Sequence, residues 1–146
     1  MAYFDTSAVV KLLVREPGAD EAEAAWREAR AHVSSVTLYA EARAAIAAAG
    51  RSGRVESAAL RFAEAELERL IEMTELVHVD MPLSRTAGEL ADAHGLRGYD
   101  AVHLATALSV ADPELTLVTW DGDLATAARA CGLRVVPKAD EEVQAL

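Results

Sequence analysis

Ala2-Tyr3-Phe4-Asp5-Thr6-Ser7-Ala8-Val9-Val10 is the stretch on which the fold turns. Ala2 to Phe4 read as a short buried strand and Thr6 to Val14 as the start of a helix, so Asp5 falls where the strand hands its carboxyl end to the helix. In an open parallel sheet that join is where ligands bind. A carboxylate at such a place is also a good helix cap, because Asp, Thr and Ser all accept hydrogen bonds from the free N–H groups of a first turn. Both readings of Asp5 stand until the rest of the chain is placed.

Working outward, the chain alternates strands with helices. Asp20 to Ala31 read as a Glu- and Ala-rich helix, Val33 to Val36 as a second strand, and Thr37 as the cap of a helix from Leu38 to Ala49. That helix is almost wholly apolar apart from Glu41 and Arg43, which predicts a buried helix. Two residues apart, Glu41 and Arg43 cannot readily pair, so another group must meet Glu41, and a cation is the simple candidate. After a break at Gly50 to Arg54, Val55 to Met73 form a long helix with an apolar stripe at Leu60, Ala63, Leu67, Leu70 and Ile71, suited to a core or a partner. Leu76 to Val79 read as a third strand. Asp80 caps a helix over Leu83 to His94, with Pro82 at its start. Lys11 and Arg15, four apart on the first helix, read as a solvated face.

Three more acids recur at joins of the same kind or near helix starts. Glu41 lies in the first turns of its helix, where the dipole favours an anion. Asp100 heads the helix in Leu96-Arg97-Gly98-Tyr99-Asp100-Ala101-Val102-His103-Leu104-Ala105, whose buried face is Ala101, Leu104, Ala105 and Leu108. His103 shares the side of Asp100 and suits a substrate contact or a hydrogen bond near it better than a metal. Asp121 follows a strand over Leu115 to Thr119, in Trp120-Asp121-Gly122-Asp123, with Asp123 the better cap for a helix over Leu124 to Cys131. Arg134 to Val136 make a last strand before a polar tail.

The fold class expected is α/β, a central parallel sheet of four to five strands flanked by helices on both faces, in one domain over 1–146. Asp5, Glu41, Asp100 and Asp121 then gather on one rim. Two carboxylates about 4 Å apart repel by roughly 4 kcal/mol at an effective dielectric of 20, so four need a divalent cation or protons. Oxygen ligands without a Cys or His cluster select Mg²⁺ or Mn²⁺ over zinc. Such a cation lowers the pKa of a water and stabilises charge on a phosphodiester.

Composition narrows the partners. A net charge of −10 excludes a sequence-independent nucleic-acid binder that works by bulk phosphate neutralisation, so a nucleic acid must be met locally. The single cysteine, Cys131, cannot form an internal disulfide, and neither a signal peptide nor an apolar run of bilayer length is present; the cytoplasm is the expected location.

Asp5-Thr6-Ser7, Glu41 in Tyr39-Ala40-Glu41-Ala42-Arg43, Tyr99-Asp100-Ala101-Val102-His103-Leu104-Ala105 and Thr119-Trp120-Asp121 together resemble the PIN domain, most closely the VapC-type toxin ribonucleases of type II toxin–antitoxin pairs. The resemblance covers essentially the whole chain. It implies a quartet at Asp5, Glu41, Asp100 and Asp121 that binds Mg²⁺ or Mn²⁺ and cuts RNA, with Ser7 and Thr119 as supporting polar groups and Asp123 as an optional further acid. It also implies a homodimer and a cognate VapB-type antitoxin that inserts a peptide into the active-site groove. Trp120 is either core or a platform for a substrate base. Two alternatives from other classes are a haloacid dehalogenase-like phosphatase with Asp5 as nucleophile, whose second acid would be Ser7 here, and a catalytically silent module whose acids are caps.

Overall fold

The structure is a computed structural model and describes residues 1–139. The strands are β1 (Ala2–Phe4), β2 (His32–Ser35), β3 (Thr74–Val77), β4 (Thr116–Val118) and β5 (Arg134–Val136). They form one parallel sheet in the order β3-β2-β1-β4-β5. The helices are α1 (Thr6–Leu13), α2 (Ala19–Glu28), α3 (Leu38–Arg51), α4 (Ser57–Glu72), α5 (Met81–His94), α6 (Gly98–Ser109) and α7 (Gly122–Ala130). The α/β class and the five parallel strands agree with the sequence reading. Most of the polar tail lies outside the described residues.

β1 is the middle strand and is buried throughout, which explains its unbroken apolar run. Its side chains alternate between two cores. Tyr3 faces a cluster with Leu104 and Ala105 of α6, Leu124 and Ala128 of α7, and Leu90 of α5. Ala2 and Phe4 face another, built from Val9 and Leu13 of α1, Leu38 and Ile46 of α3, and Leu67 and Leu70 of α4. The stripe on α4 is therefore core, packed on α3 and α1, and not a free docking face.

Several expectations shift. β2 begins one residue early and β3 two residues early, because pairing with the neighbouring strand sets which residues are extended: His32 lies beside both Ala2 and Thr74. α2 stops at Glu28, and α3 runs through Gly50 to Arg51. At Gly50 a Cβ would come within 2.8 Å of Leu60 Cδ1, so the glycine permits close packing of α4 instead of breaking the helix. Nor is α3 buried all round. Leu38, Ala42, Ile46 and Ala49 form one buried stripe, while Ala40, Ala44, Ala47 and Ala48 are exposed. Alanine favours the helix on either face, and its small side chain signals burial poorly. Leu108, expected on the buried face of α6, is exposed, and Thr106 and Ala107 are buried in that helix. Lys11 is no part of a solvated face. Its side chain is 12% exposed, and its Nζ donates to Glu16 Oε1 at 3.1 Å and to the Pro17 carbonyl at 2.8 Å, whereas Arg15 does reach solvent.

Candidate active site

The rim of carboxyl ends at the middle of the sheet is assembled from both helical layers. Asp5 leaves β1 and caps α1, its Oδ1 accepting from the Ala8 N–H at 2.9 Å and from Ser7 Oγ at 2.7 Å. Its Oδ2 accepts from Thr119 Oγ1 at 2.6 Å. Asp121 follows β4 and caps α7, with Oδ1 taking the Leu124 N–H at 2.9 Å, while its own N–H donates to Thr119 Oγ1 at 3.0 Å. Asp121 is thus the cap expected of Asp123, which is exposed, because α7 begins two residues earlier than the apolar pattern suggested. Capping and site roles do not compete here. In each aspartate one oxygen holds a helix start and the other faces elsewhere.

Glu41 and Asp100 come from helices on opposite faces of the sheet. Thr37 precedes α3 but makes no cap bond; its hydroxyl donates to Glu41 Oε1 at 2.8 Å. The partner that Glu41 required is His103, whose Nε2 lies 3.0 Å from the same oxygen. A carboxylate only accepts, so Nε2 carries the proton, and Nδ1 meets the Tyr3 hydroxyl at 2.7 Å. His103 is 1% exposed and joins α6, β1 and α3. Asp100, 5% exposed, accepts at Oδ2 from Arg97 Nε at 2.9 Å, and Arg97 Nη2 reaches Asp121 Oδ2 at 2.9 Å.

Electrostatics follow from burial and partners. Burial pushes the Asp5 carboxyl above its usual range, although the neighbouring His103 and the bonds from Thr119, Ala8 and Ser7 act the other way. Asp100 is likewise raised by burial, with Arg97 opposing and Asp121 adding to the rise. For Glu41 burial also acts upward, but His103 and Thr37 outweigh it and leave the carboxyl below its usual range.

All four acids named from the sequence line one cavity of about 380 Å³, with Ser7, His103 and Arg97 also on its wall. As placed, they do not close on a single point: among the described residues no three acid, His or Cys side chains are grouped to hold a cation. Arg97 lies between two of the acids and His103 faces a third. A larger cavity, about 760 Å³, lies between α2 and the strands; it holds none of these acids and is lined by charges of both signs, among them Glu28, Arg30, Asp112 and Arg134. Trp120, half-buried, packs against the core around Phe4, with Gly18 and Lys11 against its ring.

Tyr3 and Arg97 join the site beyond the residues that the sequence reading names. Each left a signal: a tyrosine in a buried strand needs a partner for its hydroxyl, and Arg97 is the only basic residue beside the Asp100 motif other than His103.

A central parallel sheet with acids gathered at its strand ends is one property of this chain; a match to the PIN domain over residues 2–130 is another, and the chain belongs to that family, in its VapC ribonuclease branch. A Mycobacterium tuberculosis (strain CDC 1551 / Oshkosh) protein named Ribonuclease VapC45 is 46% identical over 137 residues, 94% of this chain and 95% of the relative. In structure, the chain resembles Mycobacterium tuberculosis VapC20, described as a sarcin-ricin loop cleaving toxin, with a TM-score of 0.66 at 21% identity over 87% of this chain and 95% of that one. It also resembles a chain of a toxin–antitoxin complex from Klebsiella pneumoniae, with a TM-score of 0.61 at 21% identity over 86% and 91% of the two chains. Family membership leaves the phosphatase alternative without support.

Proposed function

We propose that this protein is the endoribonuclease toxin of a type II toxin–antitoxin pair, hydrolysing RNA phosphodiester bonds with Mg²⁺ or Mn²⁺ at Asp5, Glu41, Asp100 and Asp121. The observation that carries this reading is that four acids, drawn from four separate segments and both helical layers, line one cavity in a PIN-family chain. The donor set fits a hard dication, being carboxylate oxygens with no thiolate, and the raised pKa values of Asp5 and Asp100 express a need for a compensating positive charge. The acids would converge once Arg97 releases Asp100 and Asp121.

When bound, the cation supplies Lewis acidity at the phosphoryl group and a water of lowered pKa. The rest falls to the chain. Thr119 and Ser7 hold Asp5 in one rotamer, His103 and Thr37 orient Glu41, and Thr119 fixes the backbone of Asp121. Tyr3 locks the tautomer of His103 from below. Asp123 lies on the exposed first turn of α7 as an accessory acid.

The partners proposed are an RNA substrate, a VapB-type antitoxin seated over the cavity and a second copy of the chain, acting in the cytoplasm with residues 1–146 as one unit. No described helix is long and apolar enough to cross a membrane. The test is cleavage of a defined RNA with Mn²⁺, Mg²⁺ or chelator by wild type, Asp5→Asn and Asp100→Asn. Metal-dependent cleavage by wild type and loss of at least about 100-fold in the variants, with circular dichroism unchanged, is expected if each acid supports transition-state charge. Equal cleavage in chelator, or wild-type rates in both variants, would overturn the reading. Sedimentation should show a dimer at micromolar concentration; a monomer throughout that range would remove the homodimer.

A further inference from the structure

Arg97 is the only Lys or Arg side chain on the wall of the acid-lined cavity among the described residues. Its guanidinium spends two donors on two acids at once, Nε to Asp100 Oδ2 and Nη2 to Asp121 Oδ2, both at 2.9 Å. Those oxygens belong to groups assigned above to the cation. A guanidinium and a dication cannot share them, because both are positive and the oxygens are few. Arg97 is also well placed to leave. Its side chain is 61% exposed and it sits at the N-cap of α6 outside the packed core; the Tyr99 ring lies 4.7 Å from the guanidinium while it bridges the acids, and is flexible side-chain surface that can follow it.

A second line of argument comes from the substrate. The chain carries a net charge of −10, and an RNA phosphate approaching Asp5, Glu41, Asp100 and Asp121 meets anions on every side. Electrostatic repulsion must be answered locally, and a planar guanidinium with parallel donors matches two phosphate oxygens better than a point charge does.

We propose that Arg97 is a two-position cation: it competes with the metal for Asp100 and Asp121 and, once displaced, takes a phosphate of the RNA beside the site. This rests on the proposed metal-dependent ribonuclease reading. The guanidinium is thereby a built-in brake on metal loading and a phosphate-contacting residue in the loaded protein. Loading with metal and engagement of RNA become linked, since each removes Arg97 from the acids.

The experiment measures binding, not turnover. Mn²⁺ is titrated calorimetrically into wild type, Arg97→Ala and Arg97→Lys, and a short single-stranded RNA is then bound by each protein in Ca²⁺ at several salt concentrations. Arg97→Ala should bind Mn²⁺ about fivefold more tightly, the size expected for losing exposed ion pairs to a competitor. The same variant should bind RNA about tenfold more weakly, with a slope of log K against log salt reduced by about 0.7, the signature of one lost phosphate contact on a single strand. Arg97→Lys should fall between wild type and Arg97→Ala for Mn²⁺, and should keep the salt slope while losing part of the RNA affinity, since the charge remains and the fork does not. Unchanged Mn²⁺ affinity in Arg97→Ala would make the pair a surface ornament and overturn the first position; unchanged RNA affinity and slope would overturn the second. Wild type that binds no Mn²⁺ overturns the site reading itself, and this proposal with it.

Discussion

Thr119→Val keeps the outline of a buried side chain and deletes one hydroxyl. That hydroxyl donates to Asp5 Oδ2 at 2.6 Å and accepts the Asp121 N–H at 3.0 Å, so its loss is felt at two of the four acids. Asp5 Oδ1 retains the Ala8 N–H and Ser7 Oγ, but among the described residues Thr119 is the only donor to Oδ2, in a residue 3% exposed. A hydrogen bond to a charged group contributes about 1.5–3 kcal/mol, and the half-buried Asp121 N–H can find water at little cost. The net loss is thus about 2–3 kcal/mol in chelator near neutral pH. At roughly 3–4 °C per kcal/mol for a chain of this length, Tm should fall by about 6–12 °C. Since the lost bond favoured the charged form of Asp5, the deficit should shrink as pH falls and Asp5 takes a proton, which gives the assay an internal control. Mn²⁺ affinity should fall as well, through a carboxylate that is more often protonated and less firmly oriented. A variant that melts within about 1 °C of wild type at about pH 8, or whose deficit grows toward low pH, would refute the assignment of Thr119 as the donor that holds Asp5.

Asp5→Asn in chelator should alter the pH dependence of stability. Burial raises the folded pKa of Asp5 above the ordinary aspartate value, so its ionisable carboxyl contributes stability at low pH that is lost as pH rises through the folded value. The difference in Tm between Asp5→Asn and wild type should therefore move in favour of the variant from about pH 5 to about pH 8; a flat difference would count against a buried, strained carboxylate. Gly18→Ala should destabilise by at least about 1–2 kcal/mol, because Gly18 has φ 93° and a Cβ there would lie 2.8 Å from Trp120 Nε1. An unchanged denaturation midpoint would show that the α1–α2 turn and Trp120 yield freely.

The parts of this architecture that the sequence discloses are those set by short-range chemistry. The strand and join at Ala2 to Asp5, the cap at Asp80 and the β5 strand from Arg134 to Val136 are placed as read, since a residue's own alternation or capping group decides them. The apolar pattern beginning at Leu124 points to Asp123 as the cap, whereas Gly122 and Asp123 are already helical without contributing to that pattern and Asp121 caps the helix. The bonds that organise the rim are the least legible. His103 meets Glu41 from 62 residues away, Thr119 meets Asp5 from 114, and Arg97 joins two acids 21 residues apart; no periodicity encodes such pairs. What the sequence does show is the need: Glu41 and Arg43 could not pair, and Arg43 turns instead to Tyr39 and Glu64.

The two cores on either side of β1 have a mechanical implication. Asp5 and Glu41 ride on the layer of α1 and α3, Asp100 and Asp121 on the layer of α6 and α7, so on the proposed reading the four acids would grip from two sides, with a bite set by how each layer sits on the sheet. Close-packed interiors transmit small displacements rather than absorbing them. Mg²⁺ demands near-ideal octahedral bonds at about 2.0–2.1 Å, so on the proposed metal reading a few tenths of an ångström in the bite changes its fit sharply. Repacking at Leu67 or Leu104, both fully buried and neither on the cavity wall, would then alter the grip on Mg²⁺ from a distance, and ion preference becomes a gauge of how the two layers are seated.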